Sequence, residues 1–243
     1  MIYASGYPRD IHMTSILRGT LAALAFTSTV WLAATPAAAD DYEACAKASG
    51  DEAIAACARA IDSGRYSGRQ LAELFNNRCS EWNGKQESDK AIADCNQAIQ
   101  LNPDYAMAFF NHGNACFDKG QYDRAIEDCN QAIKLNPKYA NAYYNRGFSF
   151  QNKKQYDRAI DDYDQAVKFD PKYADAFFNR GNAYQDKGQF DRAIPDYDHA
   201  IVLNPNHAGA FYNRSLAKKQ KGNEADAAAD LAAARKINPN IGR

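Results

Sequence analysis

The sequence predicts an all-α solenoid of antiparallel helix pairs, on three observations. Residues recur every 34 positions: Pro103, Pro137, Pro171, Pro205 and Pro239 keep that spacing, as do Ala91, Ala125, Ala159, Ala193 and Ala227, and Ala98, Ala132, Ala166, Ala200 and Ala234. Each period holds two amphipathic stretches parted by a polar turn such as Asp118-Lys119-Gly120-Gln121. Asn or Asp precedes every recurring proline (Asn102, Asn136, Asp170, Asn204, Asn238), which ends one helix and starts the next, since proline suits a first helical turn. One helix pair cannot bury its own apolar face, so neighbouring pairs must stack around a continuous core.

Composition agrees and narrows the function. The chain has 243 residues, 46% hydrophobic and 24% charged, which is globular and excludes wholesale disorder. Its 29 basic and 30 acidic side chains leave a net charge of −1, without the basic excess that a nucleic-acid partner requires.

From the N-terminus, the first element is an address. Thr20–Ala34 is an apolar run preceded by Arg18 and followed by Thr35-Pro36-Ala37-Ala38-Ala39 and the acidic Asp40-Asp41. Positive start, short apolar stretch and small-residue end predict a secretory signal peptide over 1–39, with Met13 as an alternative start. The run is roughly 15 residues, short of the roughly 20 that a spanning helix needs. The expectation is an exported protein, periplasmic or secreted, with no stable membrane insertion after cleavage.

Residues 40–71 follow as a degenerate helix hairpin capping the solenoid. Asp51–Ile61 (DEAIAACARAI) echoes Asp89–Ile99 (DKAIADCNQAI), and two short helices are expected over Asp41–Ser49 and Asp51–Asp62. The five regular units come next. An aromatic recurs at Phe75, Phe109, Tyr143, Phe177 and Phe211, and Gly at Gly113, Gly147 and Gly181, with Cys79 and Ser215 in its place at the two ends. Small residues let the paired helices approach, and aromatics fill the space beside them. The last helix, Glu224–Lys236, is mostly Ala. Pro195 falls inside a helix, removes a backbone donor there, and predicts a mild kink.

Export places the six cysteines in an oxidising compartment. In an antiparallel hairpin, residues equidistant from the turn face each other. Cys45 and Cys57 centre on Asp51, and Cys79 and Cys95 centre on Glu87, so both pairs are expected as disulfides. Cys116 and Cys129 centre about one helical turn off the equivalent point. Their pairing stays open, and Cys95 and Cys129 also suit a small core position where other units place Tyr163, Tyr197 and Leu231.

No motif carries catalysis. The histidines (His12, His112, His199, His207) show no metal-like spacing with one another or with Cys, and there is no C-x-x-C, EF-hand loop, phosphate loop or nucleophile motif. The expectation is a non-enzyme without cofactor or metal. The clusters Asp161-Asp162-Asp164 and Asp196-Asp198 read as a solvated outer face.

The repeat resembles the tetratricopeptide repeat (TPR). It covers 72–105, 106–139, 140–173, 174–207 and 208–241, with an aromatic at position 4, Gly at 8, Ala at 20 and 27, and Pro at 32. The resemblance implies a right-handed superhelix whose concave face is lined by positions 2, 5, 6, 9, 12 and 13 of each first helix. Position 6 is Asn in every unit: Asn77, Asn111, Asn145, Asn179 and Asn213. Asn is a poor helix former, so five at one register need a reason. Its amide can donate to and accept from a peptide backbone together. Beside it, position 5 offers Phe110, Tyr144, Phe178 and Tyr212. These nine residues are the expected peptide-binding set. Bonding between neighbouring helices explains the same asparagines and stays open beside it. The family's carboxylate clamp is not expected: no unit has Arg or Lys at position 6, and Arg146, Arg180 and Arg214 fall at position 7, which packs between helices. The resemblance thus implies a scaffold binding a protein or peptide partner. Self-association as a homo-oligomer through terminal helices, or service as an accessory subunit of an envelope enzyme or transporter, are the alternatives.

Overall fold

The computed structural model describes residues 36–242, with the side chains of 36–40 excepted. The expected leader, 1–39, therefore lies outside the residues described in full. Among the described residues there are twelve helices and no strand: α1 Pro36–Lys47, α2 Asp51–Asp62, α3 Gly68–Gly84, α4 Ser88–Leu101, α5 Ala106–Asp118, α6 Tyr122–Leu135, α7 Ala140–Asn152, α8 Tyr156–Phe169, α9 Ala174–Asp186, α10 Phe190–Leu203, α11 Ala208–Gln220 and α12 Glu224–Ile237. They form an N-terminal pair and five regular pairs. Each helix packs on its neighbours in the chain. Successive odd-numbered helices from α3 onward also touch, whereas successive even-numbered ones do not, so the odd helices line the inner side of the curve.

Two local devices set this period. The residue that reverses the chain inside each pair takes a left-handed φ in every unit: 61° at Gln86, 72° at Gly120, 58° at Lys154, 71° at Gly188 and 80° at Gly222. Between pairs, the Asn or Asp before each proline accepts from the backbone N–H two residues on. Asp104 N reaches Asn102 Oδ1 at 3.3 Å, Lys138 N reaches Asn136 Oδ1 at 3.2 Å and Lys172 N reaches Asp170 Oδ1 at 3.0 Å. The side chain bridges over the proline, which has no N–H to offer, and fixes the turn.

Position 8 is where the paired helices come closest. A Cβ added at Gly181 would lie 2.8 Å from Tyr197 Cε1 and 3.3 Å from the Ala193 carbonyl oxygen. One at Gly147 would lie 3.0 Å from Tyr163 Cε1. Both tyrosines are fully buried, so each glycine makes the slot its tyrosine fills. At Gly113 the facing residue is Cys129, 3.7 Å from an added Cβ, and the nearest atom is Asp128 Cβ at 3.2 Å, so this slot is looser than the other two but not open.

The N-terminal end departs from the regular pattern. α1 starts at Pro36, ahead of the expected Asp41, and ends at Lys47. α3 gains a first turn from Gly68, since no Asn-Pro stop precedes this unit. The small core here gathers Cys45, Cys57, Ala56, Ala60 and Leu74 under Tyr42, Tyr66 and Leu71. Disulfides join Cys45 to Cys57 and Cys79 to Cys95, across the turns of the first two pairs. Cys116 and Cys129 are free and buried. Pro195 lies within a continuous α10, and its carbonyl accepts from His199 Nδ1 at 2.8 Å.

Gly181→Ala is expected to destabilise the fold by about 1–3 kcal/mol, because Tyr197 has no free volume to yield into. Gly113→Ala should cost clearly less. Urea unfolding followed by helical circular dichroism checks the order, and equal costs would contradict the close-approach account.

Candidate functional site

The polar side chains divide into those that hold the solenoid and those left free to bind. The first set is larger than the sequence suggests. Arg78, Arg146, Arg180 and Arg214, at position 7, each make a two-pronged bond to an Asp sixteen residues on. Arg180 Nε and Nη2 donate to Asp196 Oδ2 and Oδ1 at 2.9 and 2.6 Å, and Arg146 does the same to Asp162 at 2.8 and 2.6 Å. The pairs Arg78–Asp94 and Arg214–Asp230 repeat the geometry. The remaining Nη1 reaches back to the preceding unit: Arg146 to Asn130 and Arg180 to Asp164, both at 2.6 Å, and Arg214 to Asp198 at 2.5 Å. The guanidinium also lies over the ring three residues before it, 5.4–5.5 Å from the centroids of Phe75, Tyr143, Phe177 and Phe211.

This corrects the reading of the acidic clusters as a solvated face. Asp162 and Asp196 are buried and Asp164 is held by Arg180; Asp161 alone of its cluster stays exposed and unbridged. Position 23 turns toward the first helix, and only a paired charge can be tolerated there. Burial raises the Asp162 and Asp196 carboxyls against the pull of their arginines. Asp230 is lowered: burial raises it too, but Arg214 and Lys218 together outweigh that. A second, outer ladder is exposed. Lys119, Lys153, Lys187 and Lys221 pair with Asp89, Asp123, Asp157 and Asp191 of the unit before.

The expected peptide-binding set splits. Asn111 is buried and donates to Asn76 Oδ1 at 3.0 Å, and Asn179 is buried and donates to Tyr144 Oη at 2.7 Å. Asn145 and Asn213 are half-buried and donate to Asn114 and, at 2.7 Å, Asn182 of the unit before. Four of the five thus spend their NH2 on the neighbouring first helix. Asn77 is half-buried. Of the aromatics, Tyr144 and Phe178 are buried, with only 6% and 5% exposed. Tyr144 packs against Tyr173 at 4.8 Å and Phe178 against His207 at 4.4 Å, each at the end of its own unit. Phe110 meets Tyr139 at 5.1 Å in the same way and, like Tyr212, stays half-buried. Position 5 therefore points between units, so Tyr144 and Phe178 are removed from the candidate surface, and Asn111 and Asn179 serve chiefly to join helices.

Positions 2, 9, 12 and 13 remain on the inner side. Phe117 of α5 and Phe148 of α7 are half-buried and stack at 4.9 Å across neighbouring first helices. Met107 and Leu216 are exposed. The residue types at positions 9 and 12 already pointed to Phe148 and Phe117; the eye-catching asparagines drew attention away from them. Four carboxylates accompany them: Glu73 and Asp175 at position 2, Asp118 and Asp186 at position 13. Crowding raises Asp118 and Asp186 above the usual carboxylate range, with a Gln151 bond pulling Asp186 partly back. In these six positions of the first four units there is no Lys or Arg; Lys219 of the fifth is the one cation.

Unit two differs from the rest. His112 replaces the position-7 arginine, and its Nδ1 lies 2.7 Å from Asp128 Oδ2 and 3.7 Å from Cys116 Sγ. The expectation of no metal-like His–Cys spacing is thereby corrected: four residues apart on one helix places both side chains on one face.

Family models for the TPR repeat match residues 113–154 and 152–188, and one for the tetratricopeptide repeat matches 174–207. The chain is a tetratricopeptide-repeat protein. Among solved structures it is similar to MamA, 25% identical with a TM-score of 0.61, covering 66% of this chain and 94% of that one. It is also similar to MamA of Desulfovibrio magneticus RS-1 (residues 41 to the end), 20% identical, TM-score 0.63, covering 71% and 97%. A third is YrrB, described as a TPR protein with an unusual peptide-binding site: 23% identical, TM-score 0.61, covering 77% and 95%. No curated protein matches the sequence. Within this TPR chain no described helix is long and apolar enough to cross a membrane.

Removing one arginine should expose the worth of the inner ladder. Arg180→Ala leaves Asp196 buried without its cation and is expected to cost about 3–5 kcal/mol. Lys187→Ala breaks an outer pair and should cost no more than about 1 kcal/mol. Urea denaturation of the two variants checks this, and comparable losses would refute the division into inner and outer ladders.

Proposed function

We propose that the protein is a non-catalytic scaffold that holds an extended segment of another protein along its inner face, and that this segment is basic with apolar side chains between the charges. One observation carries the reading. The inner face presents the Phe117–Phe148 pair, Met107 and Leu216 beside Glu73, Asp118, Asp175 and Asp186, while the structural polar groups are already bonded among themselves. Aromatic rings supply apolar area at low entropy cost, and carboxylates gathered on a concave face attract cations more strongly than on a flat surface. Asp118 and Asp186 have no ion pair among the described residues, whereas Glu73 is paired with Arg69 and bonded by Tyr42, and Asp175 lies 3.7 Å from His207 Nε2. The description of YrrB as carrying a peptide-binding site supports peptide recognition on this architecture. Among the expected asparagines and aromatics, Asn77, Asn145, Asn213, Phe110 and Tyr212 retain enough exposure to contribute from the edges.

The expected leader and the two disulfides support a cell-envelope or secreted location, since disulfides persist in oxidising compartments. A partner there is not a cytosolic chaperone tail, which agrees with the absence of a basic clamp.

Selection from a random peptide library on the immobilised protein tests the proposal. Enriched peptides should carry an excess of Lys and Arg with interspersed apolar residues. Their affinity should fall with salt and drop about tenfold in Phe117→Ala or Phe148→Ala, as for a central aromatic anchor. Enrichment of acidic peptides, or undiminished affinity in both variants, would reject it.

A further inference from the structure

Unit two breaks the repeat at two positions that meet in space. Position 7 is Arg in the other four units and His112 here; position 11 is Trp82, Phe150, Tyr184 or Lys218 elsewhere and Cys116 here. Both changes lie on one face of α5, opposite Asp128 of α6, which occupies the position where every unit keeps an Asp. We propose that His112 Nδ1, Cys116 Sγ and an Asp128 carboxylate oxygen form a three-ligand site for a divalent transition-metal ion such as zinc.

The geometry fits. The three ligand atoms lie within 4.8 Å of one another, and His112 Nδ1 is 2.7 Å from Asp128 Oδ2 and 3.7 Å from Cys116 Sγ. An ion held at about 2.0–2.3 Å by nitrogen, oxygen and sulfur fits among three atoms so spaced after a small outward shift of the carboxylate. Asp128 is the least buried of the three and gives the approach from solvent. The set of one imidazole, one thiolate and one carboxylate suits zinc over magnesium or calcium, which prefer all-oxygen shells. Binding displaces the Cys116 thiol proton to solvent and leaves the neutral imidazole with its one ring proton on Nε2, away from the ion.

A purely structural role accounts poorly for the same residues. The arginines of the other units pair with their own Asp and, in three of them, also bond the unit before. His112 makes only the first of these bonds, and its Nε2 is buried without a hydrogen-bond partner. As a replacement rung it is inferior, since its second contact, to Cys116 Sγ at 3.7 Å, stays within its own helix. Cys116 is moreover a free thiol in a chain that has oxidised four others.

The test uses the purified protein with both disulfides intact, stripped with chelator and titrated with cobalt(II) alone. One equivalent should bind, with a thiolate-to-cobalt charge-transfer band in the near ultraviolet and tetrahedral bands in the visible, both displaced by zinc. Cys116→Ser should abolish the charge-transfer band, and Cys129→Ser should leave it intact. His112→Arg installs the residue the other units carry, so it should fold at least as well and weaken binding at least tenfold. No thiolate band, or a band surviving both His112→Arg and Cys116→Ser, would overturn the site. The titration contains no peptide, so its outcome is independent of the inner-face proposal.

Discussion

The structure rests on a guanidinium taken out of water. Arg180 gives two donors to Asp196 in its own unit and a third to Asp164 in the unit before, while its flat face lies over Phe177. A buried charge is costly unless its donors are matched, and arginine's rigid fork matches two carboxylates at once where lysine would not. The same side chain therefore closes a helix pair and sets the stacking of that pair on its neighbour. The aromatic at position 4, the Arg at 7, the Asp at 23 and the Asp or Asn at 25 are one device. Glycine or another small residue at position 8 belongs to it as well, since the helices must be close for the fork to reach.

This economy decides what is left for binding. Asparagine amides and position-5 rings are spent on joining neighbouring units, with Asn111 on Asn76, Asn179 on Tyr144, and Tyr144 itself packed against Tyr173. Although Asn114 and Asn182 also accept from the asparagine ladder, the concave surface is then made largely by residues outside the two ion-pair ladders. These vary from unit to unit: Met107, Asn141 and Gly209 share one register, and Ser80, Phe148 and Leu216 another. Variation at those registers, against constancy at the ladder, is what a solenoid needs to keep one backbone while shaping a specific face.

The architecture was legible because a repeat writes its geometry as a spacing. The 34-residue period, the Asn-Pro stops and the helix pairs can all be read without coordinates. So can the facing of Cys45 with Cys57 and of Cys79 with Cys95, since equidistance from a turn is a property of any antiparallel hairpin. What escaped was the fate of polar residues. Asp162 and Asp196 look like surface because charge usually is, although the same equidistance, centred on Lys154 and Gly188, sets each opposite an arginine sixteen residues earlier. The asparagine register was recognised, but its two readings differ only in which way an amide points. His112 and Cys116 were separable from the repeat only by asking which unit departs from its siblings, and whether the departures share a helix face.

The ladder also speaks to self-association. Each of the first four units offers the next one an Asp at position 18 (Asp89, Asp123, Asp157, Asp191) and an Asn or Asp at position 25 (Asn96, Asn130, Asp164, Asp198). Lys119, Lys153, Lys187 and Lys221 take the first set, and Arg146, Arg180 and Arg214 take all but the first member of the second. In the fifth unit both acceptors are alanines, Ala225 and Ala232. A further unit stacked there, from this chain or another, would find no anion for its lysine and none for the free arm of its arginine. The arginine would keep only its own Asp, and its third donor would be buried unmatched. The acceptor pattern that joins each unit to the next thus stops at α12, which carries neither of the two acceptors.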